Sequence, residues 1–241
     1  MLGALSQRYR VGWIEAIGTH PRYPVTEGWT LLVEQLIDVL ERDYGGAPVL
    51  GVGHSLGAYL TFLAAARRPE LFRAIVMLDA PVIGPVKGHL LGASKRFGIV
   101  DRVTPAGVTR DRRAYWESRE DAKAHLRTRK LFRRFADECL DDYVRHALVE
   151  AGGQFRLKID PAIEYQIYRT VPHDMYRHLR ELKVPAGFVG GAESDVVRRV
   201  RLSHMRGPRF LKRSVPGGHL FPFERPREAA AAIADLLEEL G

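Results

Sequence analysis

The sequence predicts an α/β protein, with a mainly parallel sheet flanked by helices and a long helical insertion. Three observations carry this. Short apolar runs of strand type alternate with segments of helical spacing in the first third and last quarter of the chain. Strands that alternate with helices build mainly parallel sheets. Between these parts, from about Val82 to Lys183, the sequence is Arg-rich and helical in texture, with no clear strand ladder. At about 100 residues that stretch is too long for a simple connection. The expected division is therefore a core of residues 1–81 and 184–241 and a helical cap of residues 82–183.

The elements follow in order. Tyr9 to Ala16 (YRVGWIEA) reads as a buried strand. Thr30 to Arg42 places Leu31, Leu32, Leu36, Ile37 and Leu40 at helical spacing, and Gly45-Gly46 stops it. Pro48 to Gly53 (PVLGVG) reads as a strand. Leu56 to Arg68 is a small-residue helix ended by Pro69, and Phe72 to Leu78 is a further apolar strand closed by Asp79 and Pro81. Strand signals return at Ala186 to Gly190 and Arg209 to Val215. An alanine-rich helix then runs from about Arg227 to Leu240.

Composition narrows the function classes. At 241 residues, 46% hydrophobic and 27% charged, the chain can bury a sizeable core and is not disordered. No apolar run reaches the roughly 18 residues of a membrane span, and Met1 to Arg10 lacks a secretory leader pattern. The lone Cys139 excludes an intrachain disulfide, which suits a reducing, cytoplasmic setting. The formal charge of +8 is concentrated in the insertion, which holds 21 Lys and Arg against 14 Asp and Glu. That balance reads as a solvated surface or as attraction of an anionic substrate or lipid surface. No nucleic-acid motif accompanies it. The histidines lack metal-ligand spacing, and no cofactor is implied. Oligomeric state is not readable.

Chemistry points to Gly53-His54-Ser55-Leu56-Gly57. An apolar strand, then Gly-x-Ser-x-Gly, then a small-residue helix is the arrangement of a nucleophile elbow. Gly53 and Gly57 would keep side chains out of the tight turn. Ser55 would be presented as the nucleophile, and the backbone N–H of Leu56 at the helix start would serve the oxyanion. A serine hydroxyl needs an adjacent base. His219 follows a strand, sits after Gly217-Gly218 and precedes a helix. That setting suits a general base, and it is shared by none of the other eight histidines.

GVGHSLGAYLTFLAAARRPELFRAIVMLD resembles the central stretch of the α/β-hydrolase family. PAGFVGGAESDVV and VPGGHLFPFERPREAAAAI are similar to its later acid and histidine segments. The resemblance covers about Tyr9 to Asp79 and Lys183 to Gly241. It implies the order Ser, acid, His, and favours Asp195 at a strand end as the acid. Glu193 and Asp79 remain rivals, since triads are defined by geometry. The resemblance also implies strands ahead of Tyr9, one of them lying between that strand and the elbow strand. The loop after it would carry a second oxyanion donor, for which Thr19-His20-Pro21 is no substitute. The chain is thus expected to be incomplete at its start, or else a degraded, weakly active or inactive relative.

A serine nucleophile permits hydrolysis of esters, thioesters, lactones or carbon–carbon bonds, and argues against branches that use aspartate. The expected function is a serine hydrolase of carboxylesterase type acting on a small or medium ester-like substrate. Alternatives are a carbon–carbon hydrolase of diketo acids and a non-catalytic binding protein. Trp116, Phe132, Phe135, Tyr143 and Tyr168 could line a covered pocket or form the core of the cap. Arg112, Arg113, Arg133 and Arg134 could pair with a substrate carboxylate or lie solvated on the surface.

Overall fold

The computed structural model describes residues 1–110, 112–205 and 210–241. After a four-residue helix α1 (Leu2–Leu5) come α2 (Thr30–Tyr44), β1 (Val49–His54), α3 (Leu56–Arg67) and β2 (Phe72–Leu78). The segment beyond β2 holds α4 (Pro85–Arg96), α5 (Val100–Val103), α6 (Ala106–Thr109), β3 (Tyr115–Trp116), α7 (Arg119–Thr128), α8 (Asp137–His146), β4 (Leu148–Ala151), β5 (Gln154–Leu157) and α9 (Pro161–Arg169). The chain then closes with β6 (Ala186–Gly191), α10 (Asp195–Val200), β7 (Phe210–Val215), α11 (Phe221–Glu224) and α12 (Pro226–Leu240).

Among the described residues the main sheet has four parallel strands in the order β1-β2-β6-β7. Alternate side chains of a strand face opposite sides, and β2 shows how this divides the core. Ile75 and Met77 join the cluster made by Leu32, Val33 and Ile37 of α2 and Leu60 and Phe62 of α3. Val76 and Leu78 join the cluster made by Leu5 of α1 and Ala229, Ile233 and Leu236 of α12. Helices therefore cover both faces, and the interior strands β2 and β6 are almost continuously apolar, as a parallel sheet requires.

Two expectations are corrected. Tyr9 to Ala16 forms no strand; Trp13 is 73% exposed there. An apolar run becomes a strand only when a neighbouring backbone satisfies its N–H and C=O groups. None of the described residues pairs with it, nor with the side of β1 away from β2. The insertion, in turn, contains a small antiparallel sheet in the order β3-β5-β4. The β4–β5 hairpin turns on Gly152-Gly153 at φ 62° and 79°, a conformation glycine adopts without steric cost. Trp116, Phe132, Phe135 and Leu140 pack in a cluster of their own with Tyr143 at its margin, so these aromatics are core, not pocket lining. Tyr168 is half-buried in α9, outside that cluster.

Candidate active site

The chemistry gathers at the carboxyl ends of the four parallel strands, where α/β sheets present their ligand sites. β1 ends at His54 and passes straight into Ser55, whose backbone sits at φ 51°, ψ −116°. A positive φ is strained for a residue with a Cβ and is held by its surroundings. Two contacts do the holding here. The Ser55 N–H donates to the Leu78 carbonyl at 3.0 Å, and the Tyr59 N–H donates to the Ser55 carbonyl at 3.1 Å. Gly53 is sterically required, because a Cβ there would lie 2.3 Å from the Gly57 carbonyl carbon. Gly57 differs from expectation: a Cβ there would meet open space. Leu56 is the first residue of α3, where backbone N–H groups have no partner within the helix and the helix dipole is positive.

His219 joins the strand ends. Its Nε2 lies 3.2 Å from Ser55 Oγ, and its Nδ1 lies 2.8 Å from Asp79 Oδ2. Asp79, the residue after β2, is fully buried at φ 49°. Its carboxylate is saturated with donors. Oδ1 accepts the Gly191 N–H at 2.7 Å, and Oδ2 accepts the Ser194 hydroxyl as well as the His219 ring. Ser194 Oγ also accepts the Val197 N–H at 3.2 Å, so the hydroxyl proton points to Asp79. A carboxylate only accepts, which puts the His219 proton on Nδ1 and leaves Nε2 with a lone pair toward Ser55.

The acid favoured by resemblance, Asp195, is not part of this line. It is the first residue of α10, its side chain is 56% exposed, and it pairs with Arg198 on its own helix, which holds its carboxyl below the usual range. The preceding residue, Ser194, is the inward-facing one, at 1% exposure. Glu193 is also at the surface, held by Arg134 through contacts of 2.9 and 3.2 Å, which lower its carboxyl. Of the three acids weighed from sequence, the structure brings Asp79 to His219.

Three further groups brace the site: His54 and Glu224, for which the sequence suggested no role, and Arg134, which was expected to meet a substrate carboxylate or solvent. His54 Nε2 lies 2.8 Å from the His219 carbonyl, which fixes the proton of His54 on Nε2 because a carbonyl only accepts. Burial and then the neighbouring His219 push the His54 imidazole down to about 4, so it is neutral at pH 7. Glu224 of α11 accepts the Gly218 N–H at 3.0 Å, beside His219. Arg134 lies 3.1 Å from Glu224 while also holding Glu193. The other three candidate arginines are paired or outward: Arg112 pairs with Glu164 at 2.8 Å, Arg113 with Asp121 at 2.6 Å, and Arg133 is exposed. A cavity of about 500 Å³ lies elsewhere, between Trp13–Tyr23 and α2, and none of its lining residues belongs to this line. Among the described residues no His, Cys, Asp or Glu cluster could hold a metal ion. None of their helices is long and apolar enough to cross a membrane.

Comparison with known proteins bears on the fold and the family. Residues 10–233 match the alpha/beta hydrolase family. The abhydrolase domain-containing protein AFT2-1 of Alternaria alternata is 27% identical over 234 residues, 80% of this chain and 84% of that one. The sn-1-specific diacylglycerol lipase ABHD11 of Mus musculus is 25% identical, over 85% of this chain and 64% of the relative. Among solved structures, E-2-(acetamidomethylene)succinate hydrolase superposes with a TM-score of 0.69 at 22% identity, covering 89% of this chain and 76% of the other. The thioesterase domain from the curacin biosynthetic pathway gives 0.62 at 16% identity, covering 85% and 72%. With a match that spans nearly its whole length and a parallel sheet flanked by helices on both faces, the chain belongs to the alpha/beta hydrolase family.

Proposed function

We propose that the protein is a serine hydrolase that cleaves a small or medium ester-like substrate through an acyl-enzyme on Ser55. The carrying observation is the hydrogen-bonded line Ser55–His219–Asp79, with its 3.2 and 2.8 Å contacts. Ser55 Oγ attacks the acyl carbon while His219 Nε2 takes the hydroxyl proton. The carbonyl oxygen becomes an oxyanion facing the Leu56 N–H and the start of α3. The C–O bond to the leaving group breaks, and His219 returns the proton to the departing alcohol. Water then attacks the acyl-enzyme with His219 again as base, giving the acid and free Ser55. Asp79 holds the imidazole in the required tautomer and stabilises the imidazolium.

The arginine pairings favour a neutral ester over a diketo acid. Arg112, Arg113 and Arg134 already face carboxylates of the chain. A substrate carboxylate would have to displace them.

The test is active-site labelling. A fluorophosphonate probe should label the chain at Ser55, Ser55→Ala should abolish labelling, and p-nitrophenyl acetate turnover should vanish with it. Labelling that persists in Ser55→Ala would overturn the assignment. A folded chain that neither labels nor turns over ester would instead favour a binding role.

A further inference from the structure

Half of the large hydrophobic side chains that stand exposed among the described residues fall within about a tenth of the chain. They are Val86, Leu90, Phe97, Ile99, Val103 and Val108, from 43% to 81% exposed. The reason lies in how α4 packs. A surface helix normally buries its large apolar side chains. α4 buries Gly88 and Ser94, and a Cβ on Gly88 would lie 2.1 Å from the His173 carbonyl oxygen. Its small residues make the contact, and its large ones face water. Val86, Leu90 and Phe97 are spaced four and seven residues apart and so share one face.

Charge says what this face fits. Lys87, Arg96 and Arg102 stand exposed among the apolar side chains. The one acid between Pro85 and Arg110 is Asp101, whose carboxylate is engaged by Tyr165 at 2.8 Å, Arg169 at 3.2 Å and Arg110 at 3.5 Å. Among the described residues no carboxylate faces these three cations, and Lys87 donates only to the Arg199 carbonyl, so an apolar stripe among them matches an anionic lipid surface: the side chains enter the acyl boundary and the cations meet the phosphates. A second copy fits poorly, because two like-charged faces would meet. α4 begins six residues after Asp79, which follows the carboxyl end of β2.

We infer that the α4–α6 face docks the protein on an anionic phospholipid surface. The test is co-sedimentation with phosphatidylcholine vesicles made with or without phosphatidylserine. Binding to the anionic vesicles should be about tenfold tighter or more and should weaken in high salt. The Leu90→Glu/Phe97→Glu variant should lose about tenfold of that binding or more. Arg96→Glu/Arg102→Glu, which leaves the apolar stripe intact, should lose a similar amount. Turnover of soluble p-nitrophenyl acetate should stay within about twofold in both variants, since these are surface positions. That readout separates failure of docking from failure of the esterase reading. No binding at low salt, equal binding to neutral vesicles, or variants that bind like the parent would overturn the inference. So would a concentration-dependent dimer that the Leu90→Glu/Phe97→Glu variant abolishes, since a second copy would then cover the face.

Discussion

Replacing Asp79 by Asn should reduce ester turnover by about 10⁴-fold, whereas Asp195→Asn should change it by less than about twofold. The asymmetry follows from the donors around Asp79. Its two oxygens accept from the Gly191 N–H, the Ser194 hydroxyl and the His219 ring. Asn keeps one acceptor, which the Gly191 N–H occupies. Its amide N–H₂ then faces Ser194 and His219. Ser194 can rotate its hydroxyl and accept. The imidazole can accept only by moving its proton from Nδ1 to Nε2. That proton would then sit between His219 and Ser55, where the lone pair has to be, and Ser55 loses its base. A 10⁴-fold loss corresponds to about 5 kcal/mol of barrier. Asp195 is exposed and pairs with Arg198 on its own helix, so Asn removes a weak surface contact. The assay is p-nitrophenyl acetate turnover together with the fluorophosphonate labelling rate, with thermal melting to establish that both variants fold. A collapse of activity in Asp195→Asn, with Asp79→Asn retaining more than a tenth of the parent rate, would refute the geometric argument.

Three other outcomes follow from the same geometry. Gly53→Ala should destabilise by about 3 kcal/mol or more, because the new methyl meets the Gly57 backbone at 2.3 Å; Gly57→Ala, facing open space, should stay within about 1 kcal/mol, both read by urea unfolding. Neutral His54, held at about 4 in the fold against about 6.5 when unfolded, contributes stability that is whole above pH 6.5 and lost as pH falls from there toward 4. The loss between pH 7.5 and 5 should be about 2 kcal/mol in urea unfolding, and His54→Gln, which can still donate to the His219 carbonyl, should lose that dependence. Arg134→Ala should lower kcat for p-nitrophenyl acetate by about tenfold with KM little changed, because Glu224, its side chain 8% exposed, loses its cation beside the Gly218 N–H; Arg134→Lys should recover part of the rate.

Much of the sheet and one end of the site were legible in the residues. β1, α3 and β2 lie within a residue or two of their expected bounds, because an apolar run bounded by Gly, Pro or Asp leaves little choice of element. Ser55 and His219 were legible because each sits in a local pattern that its chemistry needs. The strand expected at Tyr9–Ala16 was not, since apolar texture fixes a preference while pairing depends on a remote partner. The β4–β5 hairpin did leave a signal, Gly152-Gly153 between two short alternating runs, but the helical texture around it outweighed that signal. Asp79 and Asp195 could not be separated from sequence, because both follow strands whose carboxyl ends converge on one place. What separates them is which way one residue turns at the start of α10, where Ser194 faces inward and Asp195 outward.

That turn also links the insertion to the chemistry. With Ser194 inward, Asp79 gains a second side-chain donor, and the loop before α10 leaves Glu193 at the surface within reach of Arg134. Arg134 belongs to the segment whose neighbours clamp α11: Phe135 stacks on Phe223 at 4.8 Å, and the Ala136 N–H donates to the Phe223 carbonyl at 2.9 Å. α11 begins two residues after His219, and its Glu224 holds Gly218. A shift of the Arg134–Ala136 segment would therefore pull on the histidine loop from one side while His54 holds the His219 carbonyl from the other. Both braces hold the backbone of the histidine loop, and of the two contacts the His219 ring makes, the one to Ser55 is the longer, at 3.2 Å against 2.8 Å to Asp79. A movement of the inserted segment would therefore be felt at the His219–Ser55 distance, which is why Arg134, remote from Ser55, should act on kcat and not on binding.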